Sequence, residues 1–145
     1  VKVYLDMCAL KRPFDDQTQG RILIETLAVT RILDAASAGT LVLCNSAALE
    51  FENRQNPNAQ RRERVASLLK RIGRPEPATV RVFARSEDIV RLGFSDMDAL
   101  HLAFAEHLKA DYFVTVDGEM LARSQQVQLS VKFLDAVGAV KELGL

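Results

Sequence analysis

The stretch from Ser95 to Asp117 limits what this chain can fold into more than any other. Ser95-Asp96-Met97-Asp98-Ala99-Leu100-His101-Leu102-Ala103-Phe104-Ala105 reads as a helix entered through acidic residues, with Leu100, Ala103, Phe104 and Leu108 facing inward. Tyr112-Phe113-Val114-Thr115 follows as a short apolar strand, and Asp117 lies just past its end. In open α/β sheets, sites form where strands end and the following helices begin, so Asp98 and Asp117 are able to face one crevice. Two carboxylates in one crevice point to a metal ion.

The rest of the chain repeats this pattern. Val1-Lys2-Val3-Tyr4-Leu5 alternates and is β-rich, which predicts an opening strand with Asp6 projecting from its C-terminal end. Lys11-Arg12-Pro13-Phe14-Asp15-Asp16-Gln17 reads as a loop. Ile22, Leu23, Leu27, Ile32 and Leu33 then give the apolar stripe of a long amphipathic helix closed at Gly39. Leu41-Val42-Leu43-Cys44 is a continuous apolar run, which predicts a strand buried on both faces, with Asn45 or Ser46 capping the next helix.

Glu50 and Glu52 lie on that helix. Two positions along a helix are about 200° apart, so they cannot both point at one site. After Asn56-Pro57-Asn58, a second helix carries Arg61, Arg62, Arg64, Lys70 and Arg71 outside and Val65, Leu68, Leu69 and Ile72 inside. Arg74-Pro75-Glu76-Pro77 is a breaker, Thr79-Val80-Arg81-Val82 predicts a short strand or extended connection, and Ser86 to Leu92 a brief helix capped by Ser86. The chain closes with a short helix over Gly118 to Ala122, a strand at Val131-Lys132-Phe133 and a helix from Asp135 to Leu143. Strands alternating with helices imply one domain, residues 1–145, with a central mostly parallel sheet covered on both faces.

Composition narrows the class of function. Lys plus Arg and Asp plus Glu number 19 each, so no net field advertises a polyanionic partner. The apolar fraction of 48% against 26% charged residues fits a folded globular domain rather than a disordered chain. Cys8 and Cys44 have no paired spacing, which argues against a zinc or redox motif and for reduced, buried thiols. No apolar run is long enough for a membrane span, and no signal segment opens the chain, so a cytoplasmic location is expected.

Asp6, one of Glu50 or Glu52, Asp98 and Asp117 all fall at strand ends or on first helical turns. Carboxylates gathered so closely repel one another unless a divalent cation sits among them. With no histidine or thiolate ligand set, hard oxygen donors favour Mg2+ or Mn2+ over zinc. Such an ion activates water and steadies a leaving oxygen, which is the chemistry of phosphodiester hydrolysis. Ser95 or Asp96 caps this helix, and Asp96, ahead of it, is better explained as such a cap than as a ligand. His101 reads as a packed or hydrogen-bonded residue rather than a general base, and His107 as solvent-facing. Arg12, Arg54, Arg61 and Arg62 are candidate phosphate contacts.

In these residues the chain resembles the PIN-domain ribonucleases, particularly the VapC-type toxins of bacterial toxin–antitoxin modules. Four pieces carry the resemblance in the family's order: Val3-Tyr4-Leu5-Asp6, Asn45-Ser46 with Glu52 six residues on, Asp98-Ala99-Leu100-His101-Leu102-Ala103, and Thr115-Val116-Asp117. The resemblance implies a three-layer α/β/α PIN-like domain in which Asp6, Glu52, Asp98 and Asp117 bind Mg2+ or Mn2+. It also implies Thr115 as an orienting hydroxyl, an RNA substrate, a small antitoxin partner and a homodimer with the Arg61 helix at its interface. Met7-Cys8 departs from the polar pair that many members carry after the first aspartate, which weakens any role for the side chain at position 8.

Two other classes compete. A non-catalytic RNA-binding or assembly module of the same fold would keep the crevice without turnover. Aspartyl-phosphate enzymes also use a strand-end aspartate and magnesium. Met7-Cys8 after Asp6 lacks the second aspartate of the dehalogenase-like type, and no lysine after Thr115-Val116-Asp117 answers the receiver type.

Overall fold

The computed structural model describes residues 1–145. Its centre is a four-stranded sheet of β1 (Lys2–Leu5), β2 (Val42–Leu43), β3 (Tyr112–Thr115) and β4 (Lys132–Asp135). The strand order is β2-β1-β3-β4, and every pairing is parallel. Val3, Tyr4 and Leu5 of β1 and Phe113, Val114 and Thr115 of β3 are all buried, as expected of central strands with helices on both faces. Tyr4 stacks on Phe113 with ring centroids 5.4 Å apart, and Phe113 meets Phe133 of β4 at 5.5 Å.

The helices are α1 (Met7–Lys11), α2 (Gly20–Ser37), α3 (Ala47–Arg54), α4 (Ala59–Ile72), α5 (Val80–Arg91), α6 (Asp96–His107), α7 (Gly118–Ser124) and α8 (Ala136–Leu143), with a 3-10 turn at Arg12–Phe14. α2 packs on α8, whereas α3 packs on α4 and α6, and α6 on α5. The result is a three-layer α/β/α domain. From β1 the chain moves outward to β2, but from β3 it moves the other way to β4. With right-handed crossovers these opposite steps send the connecting helices to opposite faces, which opens a crevice between the C-terminal ends of β1 and β3. The backbone N–H of Asp6 donates to Val114 O at 2.9 Å there, fixing the two strand ends side by side.

Several expectations are corrected. Thr79-Val80-Arg81-Val82 is not extended: Thr79 caps α5, its hydroxyl accepting from the Val82 N–H, and the helix runs on to Arg91. Ser86 is therefore mid-helix, donating to Phe83 O. The Lys11 to Phe14 stretch is helical rather than looped, since Pro13 sits in the first turn of the 3-10 segment, where a missing N–H is not needed. β2 is an edge strand of two residues, so Val42 is 58% exposed instead of buried on both faces.

The inward face of α2 is Glu25, Ala28, Val29, Ile32 and Ala35, while Leu23, Ile24 and Leu27 are exposed. Small residues allow α2 to lie close to α8, and Glu25 is tolerated inside because Arg12 meets it. The cap of α6 is Ser95, whose hydroxyl accepts from the Asp98 N–H at 3.2 Å, so Asp96 is an exposed first-turn residue and not the cap. No helix is long and apolar enough to cross a membrane.

Candidate functional site

Asp6 leaves β1 into the crevice and is almost wholly buried. Its Oδ1 accepts from the Met7 N–H at 2.8 Å, capping α1, and its Oδ2 accepts from the Thr115 hydroxyl at 2.9 Å. Thr115, fully buried at the end of β3, also accepts from the Asp117 N–H at 3.1 Å. One hydroxyl thus ties the first acid to the backbone of the last. The Cys8 thiol lies 3.2 Å from both Asp6 Oδ2 and Thr115 Oγ1, so position 8 belongs to the cluster after all. Burial, reinforced by the Asp6 charge, pushes this thiol well above its ordinary range and keeps it a proton donor.

Asp117 caps α7 through Oδ1, which accepts from the N–H groups of Glu119 and Met120. Asp98 sits in the first turn of α6, and the two aspartates line one cavity of about 390 Å3 with Ser95, Glu119 and Arg123. Asp98 holds its proton to a higher pH than an ordinary aspartate. Burial is the main cause, the Asp6 charge comes next and Asp117 adds to it, while the Ser95 hydroxyl and His101 pull the other way. None of the molecule's salt bridges reaches Asp6, Asp98 or Asp117. The chain therefore gathers three acids and holds them with neutral donors alone.

Glu50 and Glu52 diverge, as two positions on a helix must. Glu50 accepts from Asn45 Nδ2 at 3.1 Å, in a knot that also joins Asn45 to the carbonyls of Leu69 and Gly73 at the end of α4. Glu52 turns toward α6, its Oε1 2.8 Å from His101 Nε2. His101 is completely buried, and its other nitrogen lies 2.7 Å from the Tyr4 hydroxyl, which is 2.7 Å from Ser46 Oγ. Burial raises the Tyr4 phenol far above its ordinary range, so its hydroxyl stays protonated. His107 pairs with Glu76 at 3.2 Å.

As they stand, no three His, Cys, Asp or Glu side chains are arranged to hold a metal ion by themselves. A small hard cation does not require that, because it keeps several waters and is commonly bound through one or two carboxylates plus substrate phosphate. The donor set fits such an ion: all oxygen, in no salt bridge with a protein cation, with Asp98 resisting ionisation chiefly through burial and then through the charge of Asp6.

Two contributors escaped the sequence reading. Arg123 lines the Asp98 and Asp117 cavity and makes no ion pair; its guanidinium lies against Gly93, where a Cβ would collide with it and where φ is +104°. A cation six residues past the last acid, one and a half turns along a helix, is the signal that could have found it. His101 reads from the sequence as packed or hydrogen-bonded, but its bond to Glu52, 49 residues away, has no local sequence signal. Of the candidate phosphate contacts, Arg12 and Arg61 pair with Asp15, and Arg62 donates to Asn56 O.

Fold and site together define a three-layer α/β/α domain with a carboxylate crevice between β1 and β3. In comparison with known proteins, no family model matches the chain, and no curated protein matches it.

Proposed function

We propose that this chain is a PIN-like, Mg2+- or Mn2+-dependent endoribonuclease that hydrolyses RNA phosphodiester bonds, serving as the toxin of a type II toxin–antitoxin module. The observation that carries the nuclease reading is the convergence of Asp6, Asp98 and Asp117 on the β1/β3 crevice with no cationic partner from the protein. Structural acids are normally paired, so a cluster left without a counter-charge favours a functional cation. The order of motifs from Val3-Tyr4-Leu5-Asp6 to Thr115-Val116-Asp117 supports the family and, through it, the substrate class and the toxin role.

Asp98, Asp117 and Glu52 would hold the ion, each with carboxylate oxygen not occupied by a hydrogen bond from a side chain of its own helix, and Asp6 would complete the set. A bound divalent cation supplies a more acidic water and charge neutralisation at the scissile phosphate. Thr115 keeps the Asp6 carboxylate from rotating, and the Asp117 cap fixes that acid against α7. Arg123, unpaired at the cavity, suits a substrate phosphate by charge and planar geometry. The exposed Leu23, Ile24 and Leu27 on α2 suit a covering partner, which in this reading is the antitoxin or a second copy.

Purified protein is expected to cleave RNA only with Mg2+ or Mn2+ present. Asp6→Asn and Asp98→Asn are expected to abolish cleavage, and the growth arrest of a bacterial host, while preserving the circular dichroism spectrum. Cleavage unchanged by either substitution sinks the nuclease reading. RNA binding without metal-dependent turnover would identify the non-catalytic module instead.

A further inference from the structure

The hydrogens of the buried polar chain beneath Glu52 can be assigned by following its donors. Leu49 N–H donates to Ser46 Oγ at 3.2 Å, as the cap of α3. Ser46 then directs its own hydrogen to the Tyr4 oxygen, 2.7 Å away, and Tyr4 directs its hydrogen to His101 Nδ1, also at 2.7 Å. Nδ1 being an acceptor, the ring proton sits on Nε2 and is donated to Glu52 Oε1 at 2.8 Å. Run backwards, the chain would set an imidazole lone pair against a carboxylate oxygen and leave the Ser46 hydrogen without a partner. Only one direction satisfies every group.

The members come from different parts of the fold: Tyr4 from β1, Ser46 and Glu52 from the two ends of α3, His101 from α6. Ser46, Tyr4 and His101 are each fully buried, whereas the Glu52 side chain is 30% exposed. A network serving packing alone has no need to end on a half-exposed carboxylate gripped through one oxygen, with Oε2 accepting nothing from the protein. His101 also stands one turn past Asp98 on the same face of α6, so the residue that grips Glu52 and the third acid project from one side of one helix.

We infer that His101 is a positioning residue: locked in one tautomer by Tyr4 and Ser46, it holds Glu52 in the orientation that lets this carboxylate join Asp98 around a divalent cation. The inference rests on the metal-centre reading above. It assigns a role to a histidine that touches neither the ion nor the substrate.

Two isosteric substitutions separate positioning from packing. His101→Gln retains an N–H near the Nε2 position, and His101→Asn retains a polar group near Nδ1 only. With Mn2+ binding followed by calorimetry, His101→Asn is expected to weaken affinity by about 10- to 100-fold, the usual consequence of losing an outer-shell partner. His101→Gln is expected to recover most of that loss. Tyr4→Phe, which frees the ring to change tautomer, is expected to weaken Mn2+ by a smaller factor. Equal losses for Gln and Asn, or none for either, would overturn the inference.

Should the histidine variants fail to fold, the wild-type protein decides by itself. In the metal-free state, long-range 1H–15N correlation of the His101 ring is expected to report the Nε2–H tautomer; an Nδ1–H ring overturns the proposal. Failure of the underlying reading looks different, because the wild type would then bind no Mn2+ at all, and the inference would fall with it. Wild-type Mn2+ binding that is indifferent to position 101 defeats this inference alone.

Discussion

Two clusters of acids stand on the same side of the domain and are handled in opposite ways. Around Arg12, the carboxylates are neutralised: Asp15 and Glu25 lie 3.0 Å from its guanidinium nitrogens, Arg61 reaches Asp15 at 3.1 Å, and Arg21 approaches Glu25 at 3.6 Å. In the crevice, Asp6 and Asp117 accept only from hydroxyl, thiol and backbone N–H groups, and neither they nor Asp98 joins a salt bridge. The first arrangement is what folding selects when a charge must be buried. The second leaves repulsion in place, and a chain retains such an arrangement where the charges have work to do.

The sharpest way to break this contrast is to remove charge from the crevice without removing its hydrogen bonds. Asp117→Asn serves, because asparagine caps a helix as well as aspartate does. RNA cleavage by this variant is expected to fall by about 100-fold or more, with no loss of thermal stability. An active Asp117→Asn protein would place the fourth acid outside the catalytic set.

The corresponding change in the paired cluster should act on stability instead. Arg12→Ala strands Glu25, whose side chain is only 10% exposed, and it deletes a partner of Asp15. Breaking a buried pair from one side is expected to cost about 2–4 kcal/mol in urea unfolding at neutral pH. Cleavage per folded molecule is expected to stay within about threefold. A stable Arg12→Ala protein would make the two clusters alike.

Under the proposed function, Arg123 links the contrast to substrate. Since it lies at the crevice without an ion pair, Arg123→Gln is expected to raise KM for RNA by about 10-fold, the value of one charge-assisted contact, with kcat nearly unchanged. A fall in kcat at constant KM would give the arginine a role in the reaction itself.

What the sequence made legible follows from how local each signal is. Tyr112 to Thr115 lies in a short apolar run between Asp111 and Asp117 and reads as the strand it forms, and Asp6 at the end of an alternating run had only one place to go. Thr79 to Val82 failed because three β-formers, Thr79, Val80 and Val82, look extended until Thr79 is recognised as a cap and the buried pair Val82 and Ile89 as one helical face. The exposed Leu23 and Leu27 misled for a related reason: α2 carries apolar residues on more than one face, and Ala28, Val29, Ile32 and Ala35 make the contact. Long-range couplings were the least visible. Nothing in the neighbourhood of His101 in sequence announces that its nitrogens meet Tyr4 and Glu52, 97 and 49 residues away.

The smallest expected effect measures what burial and the nearby acids together cost the ionised Asp98. Because the folded state raises the Asp98 pKa above its unfolded value of about 3.9, the folded protein binds more protons than the unfolded one between those two values. Stability contributed through Asp98 therefore falls as pH rises through that window and stays reduced at pH 7. Glu106 runs the other way: burial pushes it up, but hydrogen bonds from Arg85 and Ser130 bring it below its usual range, so its contribution is lost on acidification. The difference between wild type and Asp98→Asn cancels Glu106 and leaves Asp98. Without divalent cations, Asp98→Asn is expected to melt higher than wild type at pH 7, by about 1 kcal/mol or roughly 2–4 °C. That advantage should shrink toward zero as pH falls below the unfolded value, where Asp98 is protonated in both states. Saturating Mn2+ should reverse the order at pH 7, since an ion at 100 times its dissociation constant stabilises the wild type by about 2.7 kcal/mol and the variant by far less. A wild-type protein already more stable than Asp98→Asn in the metal-free state would mean that the crevice holds no repulsion for a cation to relieve.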